Sequence, residues 1–183
     1  MKWPRCYQIF SSLKNHDLLL FQVFGPIIQP FYFSILRDPV DLLVSFWDYY
    51  NVKRKLKGSW TIEKFANWTK KPDYLEFGGA NLRDTILFDF GMSINEFGNV
   101  ESVRKKIAQV EKQFGFVMLV EKFRESMVLL KHHLCWTYED MAGLRLNAQK
   151  NSSKSKPSDG AKAALKDWLN GSYIFYDHFK VRL

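Results

Sequence analysis

Cysteine is scarce: Cys6 and Cys135 are the only two in 183 residues, too few for a disulfide-dense scaffold. Ten glycines and six prolines fall short of a fibrous or low-complexity chain. No apolar run approaches the roughly 20 residues of a membrane span. The strongest, residues 18–24, is interrupted by Gln22 and followed by Gly25-Pro26. The start, Met1-Lys2-Trp3-Pro4-Arg5-Cys6, lacks the apolar core of a signal peptide, so the chain as written carries no export address. There is no internal repeat. What is present is 46% apolar and 16% aromatic residues, a content that excludes a disordered chain. A single domain over residues 1–183 is the expectation at this length.

Charge is lopsided. Lys and Arg number 27 against 19 Asp and Glu, a formal +8. Such a balance favours anionic partners, among them nucleic acid, membrane surfaces, nucleotides and acidic glycans. A basic solvated surface explains it equally well. Nucleic acid is the weaker partner, because the aromatics fall at core-like spacing and are not interleaved with Lys and Arg.

The pattern along the chain alternates. Residues 18–24 and 31–36 are short β-prone runs joined by Gly25-Pro26, a strand–turn–strand signal. Asp38-Pro39 then supplies an N-cap and a first helical residue, and Val40, Leu43, Val44 and Trp47 recur at helical spacing. The basic residues 53–55 and Lys57 suit that helix's C-terminal end. Residues 61–68 read as a short helix, and 72–80 as a loop. Residues 101–114 are amphipathic, with Val103, Ile107, Val110 and Phe114 on one stripe and Gly115 as cap. A strand over 116–120 and a helix over 125–134 follow. Residues 147–160, rich in Ser, Lys, Asn and Pro, predict a mobile loop. A last helix over 161–169 precedes an aromatic tail with Tyr173, Phe175, Tyr176 and Phe179. Alternation of this kind predicts an α/β fold with a parallel sheet flanked by helices.

Signatures of chemistry are mostly missing. The chain has no G-x-x-x-x-G-K-[ST], G-x-G-x-x-G, G-x-S-x-G or H-E-x-x-H. Asp89-Phe90-Gly91 spells a kinase triplet without any accompanying kinase motif. His132 and His133, adjacent on a helix, point apart and have no second cluster, so no metal site is expected. Cys135 beside Trp136 reads as a buried small apolar residue. Sequons begin at Asn67, Asn151 and Asn170 and matter only in a secreted setting.

Most weight falls on the stretch from Phe31 to Trp47. An Arg at the C-terminal end of a parallel strand, here Arg37, points into the crevice where open α/β sheets bind ligands. The helix start beyond it offers N–H groups and a dipole to an anion. Ser45, eight positions on, adds a hydroxyl. A planar guanidinium fork with a small donor suits a phosphate monoester. An Arg–Asp pair that merely caps the helix is the competing explanation.

Ser34-Ile35-Leu36-Arg37-Asp38-Pro39-Val40, with Ser45 and Tyr49-Tyr50, resembles the 3′-phosphate motif of sulfotransferases that use 3′-phosphoadenosine 5′-phosphosulfate (PAPS). The chain is similar in particular to the galactosylceramide and galactose 3-O-sulfotransferase family. Leu87-Phe88-Asp89-Phe90-Gly91, the segment from Val117 to Lys131, Leu134-Cys135-Trp136, the segment from Leu144 to Ala148, and Tyr176-Asp177-His178-Phe179 match in order. The resemblance implies a sulfotransferase fold related to P-loop kinases and transfer of a sulfuryl group from PAPS to galactose 3-OH on a glycolipid or glycan. It implies PAPS as co-substrate without a metal, and a lumenal Golgi location. Arg37 and Ser45 would hold the 3′-phosphate.

Asn15-His16 resembles the family's N-H dipeptide, whose His is a candidate general base. A His near neutrality can take the proton of an attacking sugar hydroxyl; a surface His in a polar stretch is the alternative. The chain also departs from the family. It has no K-T-G-S-S segment, the type of loop that grips the 5′-phosphosulfate, and no N-terminal anchor. Gln149 stands where a basic residue is expected, and Leu18 and Leu19 where an Arg is expected. The resemblance therefore implies a partial domain without its first strand and 5′-phosphosulfate loop, with membrane association only through a segment absent here. A catalytically inactive, sulfotransferase-like interaction domain is the alternative function.

Overall fold

The computed structural model describes residues 31–56, 59–68, 71, 76–77, 80–141 and 155–183. The expected strand over 18–24, Asn15-His16 and the sequon Asn151 lie outside the described residues.

Strand β1 (Tyr32–Leu36) carries the aromatic Tyr32 and Phe33 and the β-branched Ile35, residue types that favour strands. Asp38 then stops the strand and starts helix α1 (Pro39–Tyr49). Its carboxylate accepts from the backbone N–H groups of Val40 (3.0 Å) and Asp41 (3.2 Å), and Pro39 occupies the first turn, where a missing N–H costs nothing. Pro39, Val40, Leu43 and Trp47 form the buried stripe. The basic residues after it are not the end of this helix. Asn51, in the left-handed region at φ 50°, breaks the chain direction, and a separate turn, α2 (Val52–Lys55), follows. Thr61 caps α3 (Ile62–Ala66). A minimal antiparallel pair, β2 (Glu76–Phe77) and β3 (Ala80–Asn81), leads into α4 (Thr85–Asp89). Phe90 and Gly91, of the kinase-like triplet, belong to packing and a turn. Phe90 lies 4.9 Å from the Phe175 ring, and Gly91 turns the chain at φ +73°.

Helix α5 (Val100–Gln113), capped by Asn99, buries Val103, Ile107 and Val110. It runs directly into β4 (Phe114–Leu119). Gly115 is therefore not a helix cap but a strand residue. A side chain there would collide with the ring of Phe31, and the β1–β4 register slips at this level, from Tyr32↔Phe114 to Phe33↔Phe116. The two strands are parallel, in register through Leu36↔Leu119, as expected for an α/β fold.

Leu36, Val117 and Leu119 face the main core with α1, α5 and the C-terminal helices. Met118 faces the other side, where helix α6 (Phe123–Leu134) packs Leu130 and Leu134 against it. Ser126, fully buried, ties α6 to the strand end: its Oγ accepts the Leu119 N–H over 3.1 Å. Helix α6 ends at Cys135, which is left-handed (φ 53°), exposed and disulfide-bonded. The expectation of a buried apolar Cys135 is thus corrected. His133 packs between Phe31 and Phe116, at 5.6 and 5.2 Å.

Residues 147–154 of the expected mobile loop lie outside the described residues. The remainder is pinned: Ser155 Oγ donates to Asp48 over 2.6 Å, and Ser158 bonds Glu63 through both its N–H and its hydroxyl. Asp159 and Gly160 already belong to helix α7 (Asp159–Trp168), capped by Ser158. The aromatic tail is itself helical. In α8 (Asn170–Lys180), Tyr173, Phe175, Tyr176 and Phe179 are all buried.

Candidate functional site: the C-terminal edge of the parallel strands

Both β1 and β4 end at the same edge, and the chain immediately beyond each carries charge. Leu36 C=O accepts the Val120 N–H over 2.8 Å, so the parallel ladder persists to the exit. Arg37 follows β1, and Glu121 follows β4. This is where a parallel sheet opens a ligand crevice.

Arg37 is half-buried, and among the described residues it has no hydrogen-bond or ion-pair partner. A guanidinium partly withdrawn from water, with no ion-pair partner among the described residues, favours an incoming anion. Ser45 is half-buried on α1, with its hydroxyl likewise unpaired among the described residues. It stands about 10 Å along the helix from Asp38, at 1.5 Å per residue. The two residues share the β1–α1 unit but no hydrogen bond.

The helix start does not serve as expected. Asp38 occupies it with its own carboxylate, and the N–H groups of Val40 and Asp41 are already taken. An anion here would be held by the Arg37 side chain, not by an open helix terminus.

Sequence reasoning missed the groups that fix this turn. Asp38 donates its backbone N–H to Glu121 Oε1 over 2.7 Å. Tyr176 Oη donates to Glu121 Oε2 over 3.0 Å. Tyr173 Oη donates to the Asp38 carboxylate, 3.0 Å from Oδ1 and 3.1 Å from Oδ2. The available signal was the spacing of Tyr173, Tyr176 and Phe179, three and three apart on a helical face. Burial, then the neighbouring carboxylates of Asp38 and Glu121, push both phenols above their ordinary pKa. Both hydroxyls therefore remain protonated donors at neutral pH. Lys166 lies over the Tyr173 ring at 4.9 Å and Lys180 over the Tyr176 ring at 5.4 Å, keeping positive charge beside this edge.

His16 lies outside the described residues. Among the described residues no group of three or more His, Cys, Asp and Glu gathers to hold a metal ion. No helix among them is long and apolar enough to cross a membrane.

Residues 12–183 match the family described as Galactose-3-O-sulfotransferase. Mouse Galactose-3-O-sulfotransferase 2 is 30% identical over 152 residues, 81% of this chain and 39% of that protein. Bovine Galactosylceramide sulfotransferase is 31% identical over 180 residues, 93% of this chain and 42% of that protein. Human Galactosylceramide sulfotransferase is 32% identical over 155 residues, covering 81% and 36%. The chain spans about two fifths of the length of these relatives. No solved structure matches it.

Proposed function

Because the chain belongs to the galactose-3-O-sulfotransferase family, we propose that it supplies the 3′-phosphate-holding part of an enzyme moving a sulfuryl group from PAPS to galactose 3-OH of a glycolipid or glycan. The observation that carries this is Arg37: a half-buried guanidinium, without a partner among the described residues, at the C-terminal end of a parallel strand. Its fork would take two oxygens of the 3′-phosphate, and Ser45 would donate a third, neutral hydrogen bond. His16 would accept the proton of the attacking sugar hydroxyl as the new oxygen–sulfur bond forms and the bond to the 5′-phosphate breaks.

The proposed fold is that of P-loop-kinase-like sulfotransferases, with the first strand and the 5′-phosphosulfate loop supplied from outside these 183 residues. The absence of K-T-G-S-S from the chain and its two-fifths coverage of its relatives support that division. A Golgi lumen suits the disulfide-bonded Cys135, since disulfides persist in oxidising compartments. Asn67, exposed at the end of α3, would be open to glycosylation there.

The test is sulfate transfer from radiolabelled PAPS to terminal-galactose acceptors by the chain joined to its upstream sequence. The product expected is galactose 3-sulfate, and residues 1–183 alone are expected to give none. Sulfation confined to another position, or to acceptors without galactose, would refute the assignment.

A further inference from the structure

We infer that Tyr173, Tyr176 and Glu121 form a clamp through which the C-terminal helix α8 positions Arg37 for 3′-phosphate recognition, an inference that rests on the function proposed above. Arg37 sits between two anchored neighbours. Before it, Leu36 is fixed in the ladder, its carbonyl accepting from Val120. After it, Asp38 is gripped on two sides. Its N–H is held by Glu121 at 2.7 Å, and its carboxylate by the Tyr173 hydroxyl at 3.0 and 3.1 Å. Glu121 is in turn oriented by the Tyr176 hydroxyl at 3.0 Å.

These bonds join segments 55 to 135 residues apart. They are more than the helix needs. Asp38 already caps α1 through Val40 and Asp41, and the two tyrosine rings are buried through their apolar faces within the core. What the hydroxyls add is orientation of the Arg37–Asp38 peptide, and so of the direction in which the guanidinium leaves the backbone. Tyr173 also engages Asp38 Oδ2, which no described backbone N–H uses, and so competes for an acceptor toward which Arg37 could fold back. A guanidinium kept off its own Asp and aimed from a fixed peptide loses little freedom when it binds a phosphate. These are positioning residues: none needs to touch the nucleotide.

The experiment compares affinities for adenosine 3′,5′-bisphosphate and 5′-AMP, which differ only in the 3′-phosphate. Calorimetry is done on the chain joined to its upstream sequence and, in the same form, on Tyr173→Phe, Tyr176→Phe, Glu121→Ala and Glu121→Gln. Tyr173→Phe and Glu121→Ala are expected to narrow the preference for the bisphosphate about threefold to tenfold, a fraction of the worth of a hydrogen bond to a charged group, because each acts only through Arg37. Affinity for 5′-AMP should stay unchanged. Glu121→Gln, which keeps an acceptor for the Asp38 N–H, should retain most of the preference. On an Arg37→Ala background the tyrosine substitutions should cost nothing further. Equal weakening of both nucleotides, an intact preference in every variant, or the same loss without Arg37 would each overturn the clamp while leaving the 3′-phosphate site standing. A wild-type chain without preference for the bisphosphate would overturn both.

Discussion

Ser172 donates its backbone N–H to Asp84 Oδ1 over 2.8 Å, 88 residues away in sequence, with both residues buried. This bond fixes the start of α8 against the start of α4, and hence the frame that carries Tyr173 to Asp38. Asp84 is in the left-handed region at φ 49°, its Oδ2 has no hydrogen bond, and Arg83 Nε is 3.8 Å away.

Burial raises the Asp84 pKa above the ordinary carboxylate value, against smaller opposing effects from Ser172 and Arg83. The fold thus favours the protonated acid. Its stabilising contribution is complete below the unfolded pKa of about 3.9 and is lost as pH rises through the raised folded value. Asp84→Asn keeps the acceptor for Ser172 and tolerates a left-handed backbone without a charge to bury. Thermal unfolding should show Asp84→Asn at least as stable as wild type at pH 7, with any gain shrinking towards pH 4. Asp84→Ala, which strands the Ser172 N–H, should cost about 1–3 kcal/mol. A large loss for Asp84→Asn at pH 7 would mean that the Arg83 ion pair outweighs desolvation.

Trp47 anchors α1 to the rest of the core. It is 2% exposed, and its ring lies 5.3 Å from that of Phe65. Trp47→Ala should destabilise by about 3–5 kcal/mol, the range for emptying a large aromatic site. Urea unfolding measures this directly. A loss below about 1 kcal/mol would show that the site collapses around the deletion.

Ser45 tests the helix face. Removing one neutral donor should weaken binding of adenosine 3′,5′-bisphosphate by about 0.5–1.5 kcal/mol in Ser45→Ala, measured by calorimetry. A loss exceeding that of Arg37→Ala would place the phosphate further along α1 than the β1–α1 turn.

The β1–Arg37–Asp38–Pro39 turn was legible because each of its signals is local: a β-prone run, an N-cap, a helix-opening proline and apolar residues at helical spacing. The stripe of α5 was legible for the same reason. Helix α8 was not, since Tyr173, Phe175, Tyr176 and Phe179 are modest helix formers, and tertiary burial decides their state. Gly115 looked like a cap because glycine commonly ends helices; its actual constraint is the Phe31 ring, a contact across the sheet. Glu121 carries no local mark at all. Its role follows from hydrogen bonds to Asp38, 83 residues away, and Tyr176, 55 residues away. The same holds for Asp38, whose sequence context announces the cap but not the hydroxyl of Tyr173.

The most direct measurement is calorimetric titration of adenosine 3′,5′-bisphosphate into the chain joined to its upstream sequence, and into its Arg37→Ala and Arg37→Lys variants. A half-buried guanidinium holding the 3′-phosphate predicts a loss of about 1.5–3 kcal/mol for Arg37→Ala, the worth of a charged hydrogen bond. Arg37→Lys should recover little of it, because an ammonium does not reproduce the planar fork. Wild-type affinity in both variants would contradict the account and leave Arg37 a structural residue at the end of β1.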